Sequence, residues 1–466
     1  MSTALLWFRR DLRLHDHPAL RAARDGAERL VCVFCFDDAL LKGRHASGPR
    51  TQFMLECLQE LDEGLRARGS RLFVRHGNPA DELAALAGEV HAASLHFSAD
   101  VGPFARRRQQ EVKRALEQRH VKVIAHPGLF AVDGLEAIRT SAGDPYTVFT
   151  PFYTKWLSQP RREVVGVPRS LPAPGTRTAA GTLPTLGSLG LEQELSDPMP
   201  GGEAAAREAL WRFLAGPVDD YEDARNVLTG RSVSRLSPYL HFGAISPREI
   251  EERLGTGPGA EAFRRQICWR DFYAHVLGHF PANAKSEFQE RYRGMRWSRA
   301  ETRFAAWCEG RTGYPAVDAG MRQLRREGWI HNRARLVVGS FLTKDLGIDW
   351  RWGERWFMRL LLDGDQASNN GNWQWIASVG VDPAPAFRRI FNPARQQKQF
   401  DPGGDYVREY VRELAGVPDA YLAEPWTMPA DVQERCGCMI GRDYPEPIVD
   451  HAEARRQALD RYRIKN

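Results

Sequence analysis

Five short apolar runs recur at near-regular spacing through the first 128 residues: ALLWF at 4–8, LVCVFCF at 30–36, RLFVR at 71–75, ASLHF at 93–97 and VKVIA at 121–125. Between them lie segments with helical spacing near 17–24, 51–68, 79–88 and 104–119. Strands that alternate with helices pair in parallel through right-handed crossovers. Residues 1–128 are therefore predicted to form an α/β doubly wound parallel sheet domain. Pro18, and Pro79 after Asn78, suit the first turns of two of the helices. The turn after the first run reads RRDLRLHD and has no glycine-rich fingerprint, which excludes an ordinary nicotinamide-dinucleotide domain.

The texture changes twice more. Residues 129–200 include a Pro-, Gly-, Ser- and Thr-rich stretch, VPRSLPAPGTRTAAGTLPTLGSLG at 167–190, which reads as a connector crossing the surface between domains. Residues 201–466 read as helical throughout, an all-α C-terminal domain. Ser237-Pro238 and Ser246-Pro247 are predicted helix starts with serine as N-cap, and Glu249 is expected to complete a capping box with Ser246. A chain of 466 residues exceeds one ordinary core, in keeping with this division.

Composition bounds the partners. No apolar run approaches a membrane span, and MSTALLWFRRDL reads as a first strand rather than a signal peptide. The seven cysteines are scattered and odd in number, which suggests a reducing, cytoplasmic setting. Cys32 and Cys35 lie in an apolar run and are expected to be buried thiols; Cys436 and Cys438 lack the further ligands a metal needs, so no metal is expected. The net charge of +6 is a modest argument for a polyanionic partner, and arginine clusters such as FRRI before FNPARQQK say more.

The most unusual stretch is DGDQASNNGNWQW, Asp363 to Trp375. It has almost no aliphatic periodicity; it offers carboxylates, amides, glycines and two indoles. Such a set suits a planar heterocycle with a polar edge, or else a polar turn beside two partly buried tryptophans. With its flanks, TGYPAVDAGMRQL at 312–324, GWIHNRARLVVGSFLTKDL at 328–346 and RRIFNPARQQKQFDP at 388–402, it resembles the flavin-binding signature of the DNA photolyase and cryptochrome family. The resemblance runs from LLWFRRDLRLHDHPAL to YPEPIVDHAEARRQAL, nearly the whole chain.

That resemblance implies an all-α FAD-binding catalytic domain and a set of site residues. Tyr221 and the segment Ser234, Arg235, Leu236, Ser237 would contact FAD, the segment at its pyrophosphate. Asn332 and Arg335, spaced i and i+3, share a helix face. Arg335 would pair with Asp363 along the flavin edge, and Asp365 would lie near the pyrimidine edge or ribose. Asn369 would face flavin N5 and donate a hydrogen bond there. Trp373, Trp350 and Trp297 would form an electron relay from flavin to surface, against the plainer reading of core aromatics. Trp269 and Trp375 would grip a flipped-out lesion, with Arg333 and Arg388 or Arg389 on backbone phosphates. The N-terminal domain would carry a second antenna chromophore, a deazaflavin or folate, near SADVGPFARRRQQEV at 98–112, where Phe104 and Ala105 replace the pair associated with folate.

The implied activity is blue-light-driven, FAD-dependent repair of damaged DNA by a monomer, splitting cyclobutane pyrimidine dimers by electron transfer from reduced flavin. Two departures favour an altered lesion pocket, Gln266 where a glutamate is usual and Leu336 for methionine, while Val233 for threonine removes one hydroxyl contact to the FAD pyrophosphate. They keep a cryptochrome-like photosensor, or repair of another photolesion such as the (6-4) product, open as the alternative.

Overall fold

The computed structural model describes residues 2–463 apart from 231 and 383. Strands β1 (Thr3–Phe8), β2 (Arg29–Phe36), β3 (Leu72–His76), β4 (Ser94–Ser98) and β5 (Lys122–His126) form one parallel sheet in the order β3-β2-β1-β4-β5. All five expected strands are present, the last three displaced by one residue. Helices α1 (Pro18–Asp25), α2 (Gly48–Arg66), α3 (Pro79–Glu89) and α4 (Pro103–Glu117) lie along the crossovers. Side chains alternate across the sheet. Ala4, Leu6 and Phe8 join one core with α1 and α2, while Leu5 and Trp7 join another with α3 and α4.

The first of these cores does not stop at the domain boundary. Phe53 of α2 packs on Tyr239 and Phe242 of the helical part, with ring centroids 5.4 and 5.6 Å apart. The connector contributes to it as well. Leu171, Leu189 and Leu195 are buried in the same core, and Ala180 O accepts a hydrogen bond from Val74 N of β3 at 2.7 Å. Within the connector region, α5 (Phe149–Leu157) donates from Trp156 Nε1 to Asp271 at 3.0 Å. The irregular stretch is thus pinned to both domains. Cys32 and Cys35 are buried, and burial pushes both thiols up to about 12.

The helical part is built on α6 (Glu203–Leu214), α7 (Pro258–His279), α8 (Pro315–Glu327), α9 (Asn332–Ser340), α10 (Trp350–Leu360), α11 (Gln366–Ile376) and α12 (His451–Tyr462), with shorter helices between. Two expected caps differ from the sequence reading. Ser246 does cap its helix, accepting from Arg248 N and Glu249 N, but the Glu249 carboxylate turns away to His15 Nδ1 at 2.8 Å. A partner offered by the other domain outcompetes the local capping box. Ser237 is the first helical residue and caps nothing; Ser234 Oγ accepts from Leu236 N at 3.3 Å instead. Among the described residues no helix is long and apolar enough to cross a membrane.

Two glycines bring the helices close. A Cβ at Gly353 of α10 would meet the Trp373 ring at 2.2 Å, and one at Gly371 of α11 would meet the Tyr273 ring of α7 at 2.2 Å. Both tryptophan-bearing faces of α11 therefore need bare backbone opposite or beneath them. Gly353→Ala is expected to force these helices apart and lower stability by about 1–3 kcal/mol, the usual cost of overpacking. Thermal unfolding checks it: an unchanged midpoint would mean that Trp373 does not sit on this glycine.

Candidate active site

A cavity of about 280 Å³ opens in the helical part, walled by α7, α9, α10, α11, the segment 233–241 and the loop 361–365. It collects residues that the sequence scatters over 150 positions. Tyr221, Ser234, Arg235, Leu236, Ser237, Gln266, Asn332, Arg335, Asp363, Asp365, Asn369 and Trp373 all line it, as do the departures Val233 and Leu336. Helical spacing explains part of this convergence. Asn332 and Arg335 share a face of α9, while Ile330, Val337, Val338 and Phe341 turn into the core.

Two carboxylates shape the loop. Asp363 pairs with Arg335 at 2.7 Å, as expected. Its second oxygen, Oδ1, is out of solvent without a partner. A buried carboxylate oxygen calls for an N–H or O–H donor, which a flavin, ribose or adenine edge supplies. Asp365 caps α11 by accepting from Ser368 N at 2.8 Å and is held by Arg10, from the other domain, at 2.8 Å. Burial alone would raise Asp365, but the Arg10 guanidinium, with the Ser368 N–H, holds it below the usual carboxylate range. Arg10 is in turn bound by Asp100 at 2.7 Å. His241, in the same wall, is driven down to about 3 chiefly by burial, so its imidazole is neutral at physiological pH.

Asn369 lines the cavity, and its Nδ2 donates to Glu354 O of α10 at 3.0 Å, which fixes the orientation of the amide.

The indoles are arranged as a gradient. Trp373 is 3 % and Trp350 0 % exposed, while Trp297 is half-buried nearer the surface. Trp373 rests on Gly353, one turn after Trp350 on α10, and the Ser298–Ile348 bridge sets the Trp297 segment beside the approach to Trp350. Trp373 also meets Phe357 and Trp307, with centroids 5.0 and 6.2 Å apart.

Trp269 and Trp375 lie one turn beyond the cavity-lining Gln266 and Asn372. Each is braced on one face: Trp269 stacks on Phe149 at 3.7 Å, and Arg389 lies over Trp375 at 4.0 Å. Asp382 accepts from Trp375 Nε1 at 3.0 Å and pairs with Arg389 at 2.6 Å. Arg389 is thus buried as a brace, and the exposed Arg388 is the guanidinium offered to solvent. Arg333 departs from the sequence reading. It is packed over Phe400 at 4.2 Å and donates to Asn226 at 2.7 Å, so it is occupied within the protein. Sequence reasoning missed Arg10, His241, Arg270 and Trp329, all lining this cavity or its polar wall. No local pattern marks them, because their partners are distant in the chain.

A second cavity, of about 570 Å³, lies at the C-terminal ends of β1, β2 and β4. This is where the strand order reverses, the usual ligand crevice of a doubly wound sheet. Trp7, Phe34, Phe36, Phe104, Arg108 and Asp100 line it, and Asp365 and His241 belong to both cavities.

A parallel sheet is thus joined to a helical domain whose polar cavity has Trp329 and Trp373 in its lining. Family models agree: residues 4–174 match DNA photolyase and residues 263–464 match the FAD binding domain of DNA photolyase. A deoxyribodipyrimidine photo-lyase of Streptomyces griseus is 42 % identical over 98 % of this chain and 98 % of its own. A cryptochrome of Synechocystis sp. PCC6803 superposes with a TM-score of 0.91 at 30 % identity, covering 99 % of each chain. An archaeal photolyase of Sulfolobus tokodaii, solved with two FAD molecules, superposes at 0.86 and 32 % identity over 99 % of each chain. The chain belongs to the DNA photolyase and cryptochrome family.

Asp363→Asn removes the charge that holds Arg335 while keeping the side chain's shape. FAD affinity of the apoprotein is expected to fall at least about tenfold, as for a weakened charge-assisted contact. Fluorescence titration reads it; an unchanged affinity would take Asp363 out of the cofactor site.

Proposed function

We propose that this protein is a light-driven, FAD-dependent DNA repair lyase that splits cyclobutane pyrimidine dimers. One observation carries the reading beyond family membership: two indoles, Trp269 and Trp375, stand just outside the cavity with one face each already braced. A pair of pre-oriented indoles, each one helical turn from a residue that lines a polar pocket, suits an extruded base pair, since stacking returns part of the cost of unstacking it. Arg388, exposed beside them, suits a backbone phosphate.

When bound, reduced FAD supplies the light absorption and the transferable electron. The residues position it and tune it. Asn369, fixed by the Glu354 carbonyl, presents its amide to the ring, Arg335 and Asp363 hold one edge, and Asp365 is kept ionised by Arg10. Gln266, on the cavity wall toward Trp269, offers a hydrogen bond to a lesion without an acidic proton. Trp373, Trp350 and Trp297 serve as the inward electron path. The second cavity is assigned to an antenna chromophore; its place at the strand ends and its aromatic lining suit a flat ring system such as a deazaflavin.

Pre-reduced protein is expected to remove thymine dimers from an oligonucleotide in blue light and not in darkness. No loss with DNA bound and flavin reduced would shift the reading to the (6-4) product and then to photosensing. Trp375→Ala is expected to weaken binding of dimer-containing DNA by about 1–3 kcal/mol, the worth of one stacked base. Equal affinity in a filter-binding assay would remove Trp375 from the lesion pocket. Trp373→Phe should block photoreduction of oxidised FAD, while leaving repair by chemically reduced protein in place; normal photoreduction would exclude Trp373 from the path.

A further inference from the structure

Glu327, the last residue of α8, carries a carboxylate that neither the cofactor contacts nor the electron path uses. It is 5 % exposed, deep enough that its charge must be compensated. Its Oε2 accepts from Arg235 Nη1 at 3.0 Å, and its Oε1 accepts from the Tyr410 hydroxyl. Arg235 lines the cavity, and its guanidinium lies over the Trp329 ring at 4.4 Å. Arg235 also has φ of +51°, the left-handed region that a non-glycine residue enters only when its surroundings hold it there.

The same hub reaches the opposite wall. Gln323, one turn earlier on α8, donates to Tyr410 Oη at 3.1 Å and accepts from Tyr406 Oη at 2.8 Å and from His331 N at 3.2 Å. His331 caps α9 through Arg333 N and so sets the start of the helix that presents Asn332 and Arg335. Gly328, next after Glu327, accepts from Leu362 N at 2.9 Å, directly before Asp363. Three walls of the cavity are thus tied to one end of α8.

We propose that Glu327 is a positioning residue for the diphosphate of the cofactor: it latches Arg235, and with it the strained 233–237 segment, in the phosphate-binding arrangement. This rests on the reading that the cavity holds FAD. It predicts a loss confined to ligands that carry the diphosphate, which a general packing role would not produce.

The test titrates apoprotein with FAD and with riboflavin, which has the same ring system and no phosphate. Glu327→Ala is expected to weaken FAD binding about tenfold, in line with loss of a charged hydrogen bond, and to leave riboflavin within about twofold. Glu327→Gln keeps an acceptor for Arg235 and should restore FAD binding to within about threefold of the native protein. Arg235→Ala should cost as much as Glu327→Ala, and the double variant no more than either. Equal losses for both ligands, or tighter FAD binding in Glu327→Ala, would overturn the assignment. Should Glu327→Ala fail to fold, Glu327→Asp, which keeps the charge but draws the carboxylate back from Arg235, must still show the FAD-selective loss. Native apoprotein that binds neither flavin would instead sink the cofactor reading itself.

Discussion

Two part-buried carboxylates two residues apart repel one another unless each meets its own cation. Asp363 and Asp365 are so met, from different directions: Arg335 comes from α9 and Arg10 from the end of β1. The first pair sets the loop against the catalytic helices, and the second ties it to the sheet. Because ion pairs this shielded are costly to break from one side, the loop has a single low-energy position. That position fixes the N-terminus of α11, and α11 carries Asn369, Trp373 and Trp375. The placement of Asn369, Trp373 and Trp375 is therefore inherited from two charge pairs.

The lower half of α11 depends on a different constraint, the absence of side chains. Trp373 lies on the bare backbone of Gly353, and Tyr273 lies on that of Gly371. Electrostatics orient the helix and glycines let it dock. Both are needed, since a correctly capped helix held an ångström too far away would leave the cavity open to water. The π-helical turn Phe341–Asp345 after α9 supports the same docking from below, where the buried Lys344 donates to Ala377 O at 2.9 Å, just past the end of α11.

The fold was legible where burial sets a period. Leu5, Trp7, Val31 and Val33 alternate with Leu6, Phe8, Cys32 and Phe34 because a sheet buried on both faces needs apolar side chains at every position. The site was legible where spacing within one helix sufficed, as for Asn332 with Arg335, and where the resemblance supplied the pairing of Arg335 with Asp363. It was not legible where the partner comes from another domain. Nothing near Asp365 announces Arg10, and Glu249 leaves its own capping box for His15, which lies 234 residues away. The orientation of Asn369 was equally hidden, because the Glu354 carbonyl that holds its amide lies on another helix.

The wall shared by the two cavities shows why those long-range partners matter. Asp365 and His241 face both spaces, and Arg10 lies behind them with Asp100. A charged carboxylate there is compensated by Arg10, and the neighbouring imidazole is held neutral, so the partition adds little net field to either side. Such a wall can be thin, and two side chains, Asp365 and His241, suffice to line both spaces. The order of the sheet, reversing at β1 and β4, places the crevice at the strand ends directly against the loop that carries Asp363 and Asp365.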